Sequence, residues 1–337
     1  MRRHHFHIIQ LVLTAVILAY VFRDADMRQR MLSVLRHANT GWLLLGVLIA
    51  GLGELANIWR WGIFLRVQNV TTGWLRISGV FMIGVFFNMF PWGIAGGDAV
   101  KAIYLVKDNA QKKAEVILTL IADRLIGLLS LLLFAVPLVI WRYEWLTKTR
   151  IAADLLYFLL VFLGASCLVL AVSFVITGFG WMNRLPQRMP GRKKLLEVCE
   201  AYNLFAKAWR ESLLAFVLSF PIMFAFFLTF WCAARSFHAH VSLADIFAIM
   251  PVVTVITSFP LTFSGLGVRE QLFERLLGDL AGVSADIAVL ISLTGFMINL
   301  VWSFVGAGCY LMMAFQKNRR ALEKTGTASQ PDALEVV

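Results

Sequence analysis

Six stretches of this chain, at 6–22, 42–64, 115–141, 154–178, 212–234 and 287–315, are apolar over close to the length that crosses a bilayer. About 20 helical residues, each rising ~1.5 Å, span the ~30 Å hydrocarbon layer. Backbone N–H and C=O groups find no water at that depth, so a lone apolar segment there must be helical. With 60% hydrophobic and 15% charged residues, the sequence predicts an all-α, polytopic integral membrane protein with six or more transmembrane helices. Met1-Arg-Arg-His-His before the first span resembles a signal peptide. Tyr20-Val-Phe-Arg-Asp offers no small-residue cleavage site, so an uncleaved first helix is expected. Residues 24–40 place Met27, Met31, Leu32 and Leu35 at helical spacing among arginines, as in a helix lying in the interface.

Two further apolar regions, 77–97 and 244–264, are interrupted in the same way. The first reads Asn88-Met-Phe-Pro91-Trp-Gly-Ile-Ala-Gly96-Gly97-Asp98, the second Thr257-Ser-Phe-Pro260-Leu-Thr-Phe-Ser-Gly265-Leu-Gly267-Val-Arg269-Glu270. Pro and clustered Gly free backbone groups that hydrocarbon cannot satisfy, so protein or water must surround them. Matching breaks in two halves of a membrane protein point to a transport site. The plainer reading is a pair of tight turns; the paired occurrence favours function.

Charge sets the expected topology. If each broken region is a re-entrant hairpin and the N-terminus is cytoplasmic, 19 Arg and Lys lie on the cytoplasmic side and 10 opposite, with Arg60 and Arg124 inside spans. Both termini are then cytoplasmic. Pro91 and Pro260 lie 169 residues apart, and the same offset carries 42–64 onto 211–233 and 115–141 onto 284–310. Two membrane repeats of inverted topology follow, 42–141 and 212–316, each with its hairpin. An N-terminal region (1–41), a linking helix with a basic cytoplasmic loop (142–211) and a disordered tail (317–337) complete the expected organisation.

The net charge of +11 resides in short loops between spans, which suits topology and anionic-lipid contact rather than nucleic acid. Cys167, Cys199, Cys232 and Cys309 form no C-x-x-C pair, and neither a metal site nor a cofactor is expected. Enzyme motifs are lacking: no phosphate loop, no dinucleotide fingerprint, no H-E-x-x-H and no Ser nucleophile elbow occurs, so no enzyme is predicted. Asp98 after Gly96-Gly97 can cap a helix starting at Ala99, and Ser264 can do so before Gly265-Leu-Gly267; either start would attract phosphate or carboxylate. Asn88, Gly96, Gly97, Asp98, Lys101, Asp123, Arg124, Ser264, Gly265, Gly267, Arg269 and Glu270 are the candidate substrate-binding residues. Glu54, Asn57 and Arg60, at three-residue spacing, form a supporting charge network. Arg60 has snorkelling to the interface as its alternative role, and Arg269 and Glu270 have solvated helix-end charges as theirs.

At Arg60-Trp61, Asn88-x2-Pro91 with Gly96-Gly97-Asp98, Asp123-Arg124-x2-Gly127 and Pro260 with Gly265-Leu-Gly267-x-Arg269-Glu270, the chain resembles the lysylphosphatidylglycerol synthase transmembrane-region family. That family is also known as the flippase-like domain of the multiple peptide resistance factor. Lys101 stands where the family commonly has Arg, and Asp123 where it commonly has Glu; Lys lacks the bidentate fork for phosphate. The resemblance implies a bacterial inner-membrane protein that moves a lipid between leaflets. Synthases of the family carry a soluble aminoacyl-transferase domain after the membrane part; a stand-alone member without that domain is expected here. Membrane lipids are the expected partners, with lipid-synthesis enzymes as possible ones. The alternatives are an intramembrane lipid-modifying enzyme and a scaffold of an envelope-lipid synthesis complex.

Overall fold

The computed structural model describes residues 25–89, 93–178, 205, 207–259 and 262–327, and among these every regular element is helical. The expected first span (6–22), most of the basic loop 180–211, the end of the tail and the prolines of both breaks lie outside the described residues. The helices are α1 (Ala25–Arg36), α2 (Thr40–Val67), α3 (Trp74–Phe87), α4 (Gly93–Asp108), α5 (Lys113–Trp141) and α6 (Tyr143–Leu146). They continue as α7 (Arg150–Gly178), α8 (Trp209–Ser236), α9 (Leu243–Ser258), α10 (Val268–Ala281) and α11 (Ala285–Thr327). Five of them, α2, α5, α7, α8 and α11, contain apolar stretches long enough to cross a membrane.

The repeat reaches the level of whole elements. Moved by 169 residues, the ends of α2, Thr40 and Val67, fall on Trp209 and Ser236, the ends of α8. Trp74, which opens α3, falls on Leu243, which opens α9. Each half is therefore long helix, two short helices, long helix. The packing obeys the same exchange: α2 meets α3 and α5 as α8 meets α9 and α11, while α3–α4 and α4–α5 correspond to α9–α10 and α10–α11. Between halves, α2–α11 corresponds to α8–α5 and α3–α11 to α9–α5.

The centre of this pseudo-symmetry is the α2–α8 pair, whose helices run antiparallel. The Asn39 backbone N–H donates to the Ser236 carbonyl at 2.8 Å, Gly46 packs on Cys232, Gly53 on Ala225, and Arg60 reaches Ser219. Asn39, Gly46, Gly53 and Arg60 are seven residues apart, the period that keeps one face of a helix on a partner. Small residues on that seam let the backbones approach, which matters where lipid supplies no hydrophobic drive between helices. Each half also has its own apolar core. Trp61, Phe64, Val80, Leu105 and Val116 form one, and Phe227, Phe230, Ile246, Val253 and Phe273 belong to the other, which α1 and α7 extend.

Three local expectations are corrected. The stripe of α1 divides, with Met27 and Met31 buried against the protein and Leu32 and Leu35 exposed; Leu32 lies about 100° round the cylinder from Met31, and two four-residue steps have drifted Leu35 about 80° from Met27. Helix α11 continues to Thr327, where a disordered tail from 317 was expected, because the charged stretch Lys317 to Lys324 still contains good helix formers such as Ala321, Leu322 and Glu323. Neither Asp98 nor Ser264 opens a helix. Helix α4 begins at Gly93, so Asp98 sits in its second turn. Ser264 lies in a 3-10 turn, Phe263–Gly265, with φ 50°, and the start of α10 is closed by Glu270 accepting from the Gly267 N–H at 2.5 Å.

Candidate functional site

Two polar clusters occupy equivalent places in the two halves. In the first half, α2 places Arg60 one residue before Trp61, and both side chains turn inward. Arg60 Nε donates to Asp123 Oδ1 of α5 at 2.9 Å, and its Nη1 donates to Ser219 Oγ of α8 at 2.9 Å. The Arg60 and Asp123 side chains are only 9% and 11% exposed, so Arg60 clamps α2, α5 and α8 together and does not snorkel. Charges at such depth persist only when paired and hydrogen-bonded.

One turn further along α4 from Gly97, Lys101 is nearly enclosed. Its ammonium lies 3.3 Å from Asp98 Oδ1, 4.3 Å from the Phe81 ring centre and 5.5 Å from that of Trp61. The Lys101 stem crosses Gly84, where a Cβ would collide with it. Asp98 is shared: Arg124 brings Nε and Nη2 to 2.7 Å from Asp98 Oδ2. Arg124 is 44% exposed in its side chain, against 19% for Asp98 and 4% for Lys101, so the cluster opens outward at Arg124. Glu54 stands beside this group, with its carboxylate under the influence of Lys101 and Arg60 and hydrogen-bonded by Asn57. About 9 Å of α2, at ~1.5 Å per residue, thus carries Glu54, Asn57 and Arg60, each neighbouring pair sharing a side of the helix.

In the second half, Arg269 and Glu270 are both buried, not solvated helix-end charges. Glu270 Oε1 accepts from Ser292 Oγ at 2.9 Å and from Arg269 Nη2 at 3.4 Å; Arg269 also donates through Nε to Ser292 at 3.3 Å and covers the Phe296 ring at 4.3 Å. The offset of 169 places Glu270 where the first half has Lys101, Ser292 where it has Asp123, and Thr229 where it has Arg60. The same positions therefore carry different chemistry: an ionic cluster open at one edge, and a closed Arg–Glu–Ser triad.

The breaks touch, but Gly97 lies in helix while Gly265 lies in a 3-10 turn. Gly97 packs against the Asn88 side chain and the Gly84 carbonyl so tightly that a Cβ there would overlap both. In the second half Gly265, with φ 73°, packs on Thr257, the residue equivalent to Asn88. Gly267 adopts φ 85°. These positive values suit glycine and strain other residues. Ser264 Oγ lies 3.5 Å from the Met89 carbonyl oxygen, which joins the two breaks directly. Asn88 Oδ1 is buried with no hydrogen-bond partner among the described residues. Gly96, one residue before Gly97, is buried in the same turn.

All fifteen candidates are thus distributed over two clusters and the contact between them. The pairing within the first cluster, Arg60 with Asp123 and Arg124 with Asp98, is a matter of tertiary geometry. Ser219 and Ser292 are additional partners; the repeat offset from Asp123 is the signal that marks Ser292. A groove of about 550 Å³ opens elsewhere, at the α2–α3 turn, lined by Arg66, Asn69, Val70, Thr71, Thr72 and Gly73. It lies beyond the charged cluster and adds nothing to it.

Comparison with known proteins agrees with this architecture. A UPF0104 membrane protein of Pyrococcus horikoshii is 28% identical over 152 residues, 44% of this chain and 42% of that protein, so the match spans less than half of the relative. The family model of the lysylphosphatidylglycerol synthase TM region matches residues 7–308, which takes in the first repeat, most of the second, both breaks and both clusters. This chain belongs to the lysylphosphatidylglycerol synthase TM region family.

Proposed function

We propose that this protein moves an amphipathic lipid with an anionic or polar head group between the leaflets of the bacterial inner membrane. The observation that carries the reading is the half-exposed Arg124, held by Asp98, which directly follows Gly97 of the first break. An arginine at membrane depth is costly unless it faces a partner or a wet path, and its planar fork suits phosphate.

The short helices support a re-entrant arrangement. Helices α3 and α10 have 14 residues and α4 and α9 have 16. At ~1.5 Å per residue they reach about 21–24 Å, less than the ~30 Å core. Each pair packs on itself, as a hairpin that enters and leaves on one side would. With equivalent long helices antiparallel, one hairpin then faces the cytoplasm and the other the outside, and both termini are cytoplasmic. The open first cluster and the closed second triad make the two hairpins unequal gates. Tails stay in lipid while the head group passes along Arg124 and Asp98.

The test uses purified protein in vesicles containing fluorescent phosphatidylglycerol, with dithionite reporting exchange between leaflets. Wild type should accelerate exchange, and Arg124→Gln should slow it at least tenfold at unchanged abundance. Exchange no faster than in protein-free vesicles would sink the proposal.

A further inference from the structure

We infer that lipid binding at the first cluster is coupled to uptake of one proton by Glu54. The inference rests on the proposed head-group site and adds a second substrate to it, the proton. Glu54 lies in the apolar span of α2, half-buried. Among the described residues it forms no ion pair, whereas Asp98 and Asp123 are each held by arginine at 2.7 and 2.9 Å. Among the described residues the groups around it are few. Its own helix supplies Arg60 and Asn57, and α4 supplies Lys101, which is tied to Asp98. Helix α5 supplies Asp123 and Arg124 to the same cluster. Helix α8 presents Ala225 to Gly53 and Ser219 to Arg60; its Cys232 lies against Gly46, about two turns away. Helix α11 presents Trp302 at Gly51, with Tyr310 further off on Phe87. Helix α3 contributes Phe81, and its Arg76 is occupied by Asp108 at 2.7 Å.

The cluster then holds three cations, Arg60, Lys101 and Arg124, against three carboxylates, Glu54, Asp98 and Asp123. It is neutral when all are ionised. Arrival of one phosphate diester adds a negative charge, which is costly at this depth. Neutrality returns if one carboxylate takes a proton from water, and the one without an ion-pair partner yields first. A single O–H bond forms on Glu54 as the lipid binds and breaks as it leaves. Lipid anion and proton thus cross together without net charge, and by reciprocity each raises the affinity for the other.

The experiment measures binding of dihexanoyl phosphatidylglycerol to the full chain in detergent by calorimetry, in buffers of different ionisation enthalpy. Wild type should take up close to one proton per lipid bound, over the pH range in which Glu54 is ionised in the free protein. Its Kd there should rise about tenfold per pH unit, because one proton is linked to one lipid. Zwitterionic dihexanoyl phosphatidylcholine should take up none. Glu54→Gln should take up none with either lipid and bind with a Kd independent of pH; Glu54→Asp should keep the dependence. No proton uptake by wild type overturns the inference without recourse to any variant, and so does uptake that persists in Glu54→Gln. Equal uptake with sn-glycerol 3-phosphate would reassign the anion to a free phosphate ester and overturn the lipid part. Proton-linked binding without exchange in vesicles would fail the proposed function and leave this inference standing; exchange without proton uptake would do the reverse.

Discussion

Asp123 and Arg124 are neighbours in sequence with different consequences. Adjacent residues on a helix point about 100° apart, so Asp123 turns to Arg60 in the protein while Arg124 turns to Asp98 at the open edge. Replacing Asp123 by Asn leaves a buried guanidinium without its counter-ion, which costs about 3–5 kcal/mol. Asp123→Asn should therefore lower the melting temperature in detergent by several degrees, and Arg60→Met with Asp123→Leu should recover much of it. Unchanged melting in the single variant would mean that the pair holds nothing together. The charges at membrane depth stand out in the sequence because hydrocarbon tolerates so few, and the offset of 169 aligns the halves that carry them. Which cation meets which carboxylate does not, since the pairing is decided by the rotation of α2, α4 and α5 about their own axes.

The hairpins depend on contacts that a sequence pattern announces but does not measure. Pro and Gly mark both breaks, yet Gly93 to Gly97 continue α4 as helix, because tertiary packing on α3 outweighs the intrinsic cost of glycine, about 1 kcal/mol each. That is why Asp98 is not a cap. The same packing makes Gly97 irreplaceable: a side chain there would push α4 off Asn88 and the Gly84 carbonyl. Gly97→Val should abolish lipid exchange and displace Lys101 from its rings, whereas Gly164→Val on α7, where an added Cβ meets nothing within 4 Å, should leave exchange within about twofold of wild type in the dithionite assay. Full exchange in a folded Gly97→Val protein would remove the hairpin from the mechanism.

For the molecule as a whole, the proposed topology puts Lys107 and Lys148, both exposed, on opposite sides of the membrane. Single cysteines at these positions, with the native cysteines replaced, should react with an impermeant maleimide from the cytoplasmic and the outer face respectively; labelling from one face contradicts a re-entrant first hairpin. The long helices of the repeats were readable from hydropathy, and their pairing from the offset. The α2–α8 seam was not, because inverted topology sets the directions of the two helices and not whether they touch. That seam makes α7 a matter of parity. In the proposed topology each repeat contributes two full crossings and a hairpin that returns, so a repeat ends on the side where it began. An odd number of crossings between them is what turns the second repeat over, and α7 supplies one. Leu156, Leu159 and Leu163 anchor it to the core, and in that topology its existence is not optional: without it both repeats would enter the bilayer the same way up, and α8 could not lie head to tail along α2.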